Sequence, residues 1–360
     1  MNKAIYFVCL LIGVSTSFIA QSNEAQPKPD PKVLPVTTAR PDKNTVYPIA
    51  IIGAGAGGTM AVKRSVLHNR QTILFTGAKK EIKNSRGNWV RKVENTPGLE
   101  KYTRTIVELR DETLINITKG PFSDKLFIVP ESVMQIRKEG DIFHLTDSAG
   151  DTYCVQYVVL ATGMMDTQPI IQGSIKPILK YANKQHINYC ILCDGHRALG
   201  KKTVVIGYQE DAAKGAILLW DRYKPEVVSI VTNGHEPEFT PETMSALQER
   251  NIQVFQEPIQ SILGNEELKE FQGFQLESAS VEAEIGFVLL GIRPNNSLAI
   301  SLGAEVDERG LVITDKDGQT SVENLFVVGD LRSGSLKQIY TAWQQAVEVV
   351  QVIDRKIRGH

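Results

Sequence analysis

The chain has 360 residues, 42% hydrophobic and 22% charged, with a formal net charge of −1. That length admits two domains with substantial cores, and the balanced charge gives no basic surface for nucleic acid or an anionic membrane. Four cysteines are too few to staple a fold: Cys9 lies in an apolar N-terminal run, Cys154 is isolated, and Cys190 and Cys193 form a pair.

Residues 1–22 open with Lys3, continue through a nearly unbroken run of apolar and small residues, and end at Ala20-Gln21-Ser22. This is the layout of a secretory signal peptide, which predicts an exported protein, periplasmic or secreted, with no membrane span left after cleavage. The competing reading is an uncleaved membrane anchor, because the run is almost long enough to span a bilayer. Residues 23–45 carry Pro27, Pro29, Pro31, Pro35 and Pro41 among polar residues and predict an extended tether.

The folded part begins at Val46. Tyr47 to Ile52 predicts a buried strand, followed by Gly53-Ala54-Gly55-Ala56-Gly57-Gly58, a helix over Thr59–Asn69 and a strand over Thr72–Phe75. In such a β-α-β unit Gly53 permits the tight turn, Gly55 lets the backbone approach a pyrophosphate, and Gly58 lets helix and strand pack closely. The helix N-terminus adds free N–H groups and a partial positive charge. The pattern is weak alone and gains weight from its place between strand and helix. The acidic residue expected after the second strand to hold ribose hydroxyls is absent; Thr76 stands there, with Glu81 displaced. Further on, Tyr157–Leu160 predicts a strand ending at Ala161-Thr162-Gly163. A second β-α unit runs from Thr203-Val204-Val205-Ile206 through Gly207 and a helix to Trp220, then a strand over Glu226–Val231. Phe287–Leu290 and Asn324–Val328 predict two more buried strands, the latter ending in Gly329-Asp330, and Lys337–Arg358 predicts a long helix.

Cys190-Ile191-Leu192-Cys193 precedes Asp194-Gly195-His196. Thiols at this spacing can close a small disulfide ring and exchange with another disulfide if one is partly thiolate. Three other readings stand beside redox catalysis: half of a zinc site, an inert structural disulfide, and two buried thiols. The chain has no second cysteine pair to complete a zinc site, so no metal is expected. Asp194 is a candidate general acid or an ordinary turn carboxylate, and His196 reads as packing or solvent-facing.

These motifs, together with Val93-Glu94-Asn95-Thr96-Pro97-Gly98, Gly291-Ile292-Arg293-Pro294-Asn295 and Lys337-Gln338-Ile339, resemble the low-molecular-weight, bacterial-type thioredoxin reductases over about residues 46–358. The resemblance implies FAD. It implies a site containing Gly53, Gly55, Gly58, Asn95, Thr162, Gly163, Gly329, Asp330, Gln338 and Ile339, with Asp330 on the ribityl and pyrophosphate region. Gln338 and the Ile339 N–H would face the flavin ring, where a donor stabilises charge on reduced flavin. Cys193 would exchange electrons with the flavin, Cys190 would attack the partner's disulfide, and Asp194 would be the acid beside them. The implied partner is a thioredoxin-like protein or a small-molecule disulfide or dithiol, and the implied assembly is a homodimer.

The second nucleotide site departs from that pattern. Where the family has Gly-x-Gly-x-x-Ala, this chain reads Gly207-Tyr208-Gln209-Glu210-Asp211-Ala212. Gln209 puts a side chain where the backbone must approach a pyrophosphate, and Asp211 adds negative charge at the helix start. The arginines that grip the 2′-phosphate are replaced by Thr232-Asn233-Gly234-His235-Glu236-Pro237-Glu238. Weak or no NADPH binding is therefore expected. Trp343 also replaces a small residue of the family.

The expected fold is α/β, with two Rossmann-like three-layer nucleotide-binding domains, the second inserted into the first: residues 46–166 and 286–360 for FAD, residues 167–285 carrying the cysteine pair. The expected function is an FAD-dependent dithiol–disulfide oxidoreductase. The alternatives are a reductase with another donor, a thiol oxidase using oxygen, and a non-catalytic flavin-binding protein on a degenerate scaffold.

Overall fold

In the computed structural model, residues 36–78, 86–88, 93–97, 99, 105–182, 184–265 and 270–359 are described. The expected signal peptide, the tether up to residue 35, Gly98 and Glu81 lie outside them. The apolar run Val46–Ile52 forms β1, and the next elements are α1 (Ala56–Leu67), β2 (Thr72–Phe75), α2 (Ile106–Thr118) and β3 (Leu126–Val129). α2 starts at a capping box, in which Thr105 and Glu108 each accept from the other's backbone N–H. An antiparallel meander follows, β4 (Val133–Glu139), β5 (Ile142–Asp147) and β6 (Thr152–Leu160). These strands form one sheet in the order β3-β2-β1-β6-β5-β4, with β17 (Leu325–Val327) added beside the end of β6.

Period-two alternation in β1 builds two cores on this sheet. Ile49 and Ile51 face one side, packing with Val62 and Val66 of α1 and with Val349 and Ile353 of the C-terminal helix α8 (Ile339–Arg358). Ala50 and Ile52 face the other, with Phe75, Phe143, Leu145, Tyr153, Val312 and Leu331. Both faces are apolar because both are covered, as a largely parallel sheet requires.

The chain leaves this domain along β7 (Met164–Asp166) and returns along β16 (Ile292–Pro294), which pair as an antiparallel neck. Between them lies a second, wholly parallel sheet in the order β11-β10-β9-β15-β8. Its strands are β8 (Ile187–Asn188), β9 (Lys202–Ile206), β10 (Val227–Val231), β11 (Gln253–Phe255) and β15 (Ile285–Val288). On one face Val205 and Phe287 meet Ala212, Ala216 and Leu219 of α5 (Glu210–Tyr223). On the other, Val204 and Ile206 meet Tyr181 of α3 (Lys176–Ala182) and Phe274 of a small antiparallel sheet, β12 (Ser261–Leu263), β13 (Gly273–Gln275) and β14 (Ser280–Glu282). The remaining helices are α4 (Ile191–Asp194), α6 (Pro241–Glu249) and α7 (Ser297–Ser301). Among the described residues no helix is long and apolar enough to cross a membrane.

Two expectations need correction. A boundary at residues 285/286 cuts through β15, which pairs with β9 and β8 in the inserted sheet. A short buried apolar run carries no mark of which parallel sheet receives it. The tether was expected to run free to residue 45, yet residues 36–45 dock on the first domain. Val36 packs against its core, Ile128 N–H of edge strand β3 donates to Thr38 Oγ1 at 2.7 Å, and Asp42 N–H donates to the Tyr47 hydroxyl at 2.7 Å. Pairing the edge strand's free N–H repays the ordering of a segment with little to bury.

Candidate active site

The turn after β1 is built by close approach. Gly53 has φ of 105°, and a Cβ there would lie 2.4 Å from Ala161 O; a Cβ on Gly58 would lie 1.8 Å from Gly53 O. Gly55 differs, with nothing within 4 Å of the position its Cβ would take. It faces a cavity of about 600 Å³. The first turn of α1 has no side-chain cap and no acidic residue, so its N–H groups are left for a ligand. This bare helix end, opening on space that a Cβ would occupy, fits the pyrophosphate of a dinucleotide. Thr76, where an acid was expected, is buried at the cavity wall.

Every predicted site residue except Gly58 lines this cavity. Thr162 Oγ1 donates to Asn295 O at 2.7 Å and Asn295 Nδ2 donates to Thr162 O at 2.8 Å, locking the turn at Gly163, whose φ is 65°. Gly329 N–H donates to Gln345 Oε1 at 2.8 Å, which fixes the turn carrying Asp330. Ile339 opens the uncapped N-terminus of α8 on the same space. Trp343, one turn on, is half-buried.

Residues not singled out from sequence complete the wall. Arg86 bridges two carboxylates, Nη1 to Asp330 Oδ2 at 3.1 Å and Nε to Asp166 Oδ2 at 3.0 Å. Burial pushes the Asp166 carboxyl up, and the Arg86 guanidinium opposes that. Neither Arg86 nor Asp166 belongs to a spaced motif, so only the fold brings them together.

Cys190 and Cys193 are joined as a disulfide. Cys190 is the N-cap of α4, and Cys193 N–H donates to Cys190 Sγ at 3.1 Å. The disulfide faces Gln338, whose Nε2 lies 3.4 Å from Cys193 Sγ and 3.8 Å from Cys190 Sγ. Asn95 Nδ2 donates to Gln338 Oε1 at 2.7 Å and so orients the amide with its NH₂ toward the sulfurs. Asp194 follows on the cavity wall. Burial raises its carboxyl pKa, with Arg197 and His196 opposing and Glu94 reinforcing. A carboxyl held toward its protonated form suits a group that donates a proton to sulfur. Arg197 binds Glu94, and its Nε lies 3.4 Å from Asp194 Oδ1; exposed His196 lies 3.5 Å from Glu94.

The second nucleotide loop carries contacts of its own. Gly207 still packs tightly, 2.5 Å from a hypothetical Cβ to Ala212 Cβ. Gln209, at the helix N-cap, forms a bridge with Glu238, and Glu238 N–H donates to Tyr208 O at 2.7 Å. Tyr208 stacks on His235 with ring centroids 4.2 Å apart. Glu210 accepts from Thr243 Oγ1 at 2.6 Å and Thr240 N–H at 3.0 Å, tying α5 to the start of α6; these bonds hold its pKa low.

A disulfide presented to a dinucleotide cradle is the working arrangement of flavin-dependent disulfide oxidoreductases. Residues 47–346 match the family described as pyridine nucleotide-disulphide oxidoreductase. A thioredoxin reductase of Treponema pallidum is 28% identical over 310 residues, 83% of this chain and 93% of that protein. One from Mycoplasmopsis pulmonis is 24% identical over 324 residues, 88% of this chain and 99% of that protein. The solved thioredoxin reductase of Streptococcus pyogenes shares the fold, with a TM-score of 0.75 at 21% identity, covering 88% of this chain and 100% of that one. The chain belongs to the pyridine nucleotide-disulphide oxidoreductase family. The family implies FAD, and the enzyme is a thioredoxin-reductase-like, flavin-dependent disulfide oxidoreductase in which Cys190–Cys193 fits the redox-active disulfide.

Proposed function

We propose that this enzyme moves electrons between a dithiol substrate and FAD through Cys190 and Cys193 without using NADPH, and that it works as a thiol oxidase. The single observation that carries this reading is the altered second loop, where a backbone bridge joins Gln209 to Glu238, Tyr208 stacks on His235, and Glu238 stands exposed at the loop. A nucleotide there would meet the Gln209 side chain and the Glu238 carboxylate in place of a cationic phosphate grip. Without a nicotinamide donor, the cysteine pair is the route to the flavin.

A substrate thiolate attacks Cys190 Sγ, breaks the Cys190–Cys193 bond and releases Cys193 as thiolate. The second substrate thiol then displaces Cys190 from the mixed disulfide, so the substrate leaves oxidised and the pair is left reduced by two electrons. Asp194 gives a proton to the Cys190 sulfur as it leaves and takes one back when the pair is reoxidised. Gln338, held by Asn95, keeps a donor on both sulfurs. FAD, when bound, supplies a two-electron carrier that oxygen can reoxidise to the starting state with release of peroxide. Gly55 and the α1 N-terminus would hold its pyrophosphate, and Asp330 its ribityl chain.

The likeness to thioredoxin reductases supports a thioredoxin-like protein or a small-molecule dithiol as substrate, and the homodimer is carried by the resemblance of the motifs alone. The pattern of residues 1–22 supports export with loss of that segment, which a mass measurement of the mature N-terminus checks. The central test is anaerobic bleaching of the flavin. Dithiothreitol should bleach the wild type and not Cys193→Ser, NADPH should leave it yellow, and air should restore the colour with formation of peroxide. Rapid bleaching by NADPH sinks this reading in favour of an ordinary reductase. If Cys193→Ser changes no measurable turnover, the scaffold is non-catalytic.

A further inference from the structure

We propose that Arg197 is a positioning residue for proton transfer at the disulfide, a cationic strap that holds Asp194 beside the sulfurs while anchored to Glu94 of the other domain. The inference rests on the relay just described and adds to it the group that controls its acid. Asp194 ends α4 and Arg197 lies three residues on, in the single 3-10 turn Gly195–Ala198. That turn is pinned against α5, because a Cβ on Gly195 would sit 2.4 Å from Tyr223 Cε2. The pinned backbone directs Arg197 back over Asp194, Nε to Oδ1 at 3.4 Å, while its Nη2 engages Glu94 Oε2. The guanidinium fork suits this double duty, since one side chain can serve two carboxylates at fixed angles.

Glu94 and its neighbour divide the work across the domain boundary. Glu94 holds Arg197, and through it the acid; Asn95 holds Gln338, and through it the donor on the two sulfurs. One dipeptide of the first domain thereby aligns both halves of the chemistry carried by the second. The charged groups that face Asp194 are Arg197, His196, Glu94 and, at longer range, Arg86. Arg197 is in hydrogen-bonding contact with it, whereas His196 is exposed and turned to Glu94. Without Arg197, the carboxyl keeps its desolvation and its anionic neighbour and loses its main counter-charge.

The experiment compares wild type, Arg197→Lys, Arg197→Met and Asp194→Asn as flavin-loaded proteins of checked flavin content and melting temperature. Turnover with dithiothreitol and oxygen is followed against pH, and Asp194→Asn identifies the limb that belongs to the acid. At saturating dithiothreitol, where reoxidation of the pair limits turnover, Asp194 must be ionised to take the Cys190 proton, so that limb rises with pH. Arg197→Met should move it upward by about one pH unit, the effect of removing one close opposite charge, and Arg197→Lys should recover at least half the shift. As a readout independent of turnover, the pH midpoint for iodoacetamide alkylation of Cys190 in phosphine-reduced protein should move in the same direction and order. Unchanged midpoints in both readouts with Arg197→Met, or a lysine variant no better than methionine, overturn the proposal. A wild-type profile without an Asp194-dependent limb overturns it too. If dithiothreitol fails to bleach the wild-type flavin, the relay reading has failed, and the alkylation midpoints still decide the role of Arg197.

Discussion

The glycines of the first loop do two different jobs, and the difference is measurable. Gly58→Ala would drive a methyl group into Gly53 O, so this variant should lose stability severely or fail to fold. Gly55→Ala meets nothing in the protein, and its φ of −74° suits any residue. It should fold with the melting temperature of the cofactor-free wild type but release flavin more readily, read as the absorbance left after gel filtration. At the other end of the cavity, Gln338→Leu removes the donor from both sulfurs and leaves Asn95 Nδ2 without its acceptor. A loss of about 1.4 kcal/mol, within the range for such an orphaned group, slows dithiol bleaching roughly tenfold. The cradle was legible before folding because each glycine answers to a fixed spacing, and the cysteines because a known order of motifs surrounded them. Arg86, Asp166 and Arg197 were not. Each is a charged residue with at least one partner from a remote segment, and nothing in its local sequence separates it from a solvated surface charge.

At the scale of elements, the second nucleotide unit keeps its framework and changes its loop. Gly207 and Ala212 still set β9 against α5, while Glu210 turns from the loop to the N-terminus of α6. The sequence disclosed the misfit of Gln209 and Glu238 with a phosphate but not their pairing with each other, because a parallel bridge between two loops leaves no periodic trace. Glu210→Gln tests the tie. The folded-state pKa of Glu210 is lowered, so its contribution is present above the ordinary carboxylate range and is lost as pH falls through the folded value. The variant should lose about 1 kcal/mol at pH 7 by urea denaturation, with the gap to wild type closing in acid. The strand β15 has a similar lesson. Its apolar residues announce burial, yet only the pairing with β9 and β8 assigns it to the inserted sheet.

Across the whole molecule, the two domains share one cavity and are joined by two covalent crossings, β7 and β16, which pair with each other. Contacts across that boundary, Arg197 with Glu94 and Gln338 with the disulfide, hold the cysteines toward the cradle. The alternation of apolar strands and helices made this two-domain plan readable at once. The docking of residues 36–45 was not readable, since a polar, proline-containing stretch takes its order from an edge strand that must first exist.

The place of β17 bears on how the protein is made. The glycine cradle emerges early in synthesis, but the strand beside β6, the Asp330 turn and α8 emerge last. Until then the nascent first domain exposes the apolar faces that β17 and α8 will cover, a state prone to association and in need of holding chaperones. Flavin capture is thus a late event in biogenesis. A chain stopped at residue 320 keeps Gly53, Gly55, Gly58 and the Cys190–Cys193 pair, yet it should be recovered colourless and aggregated, whereas supplying the missing C-terminal segment as a separate polypeptide during refolding should restore yellow, soluble protein.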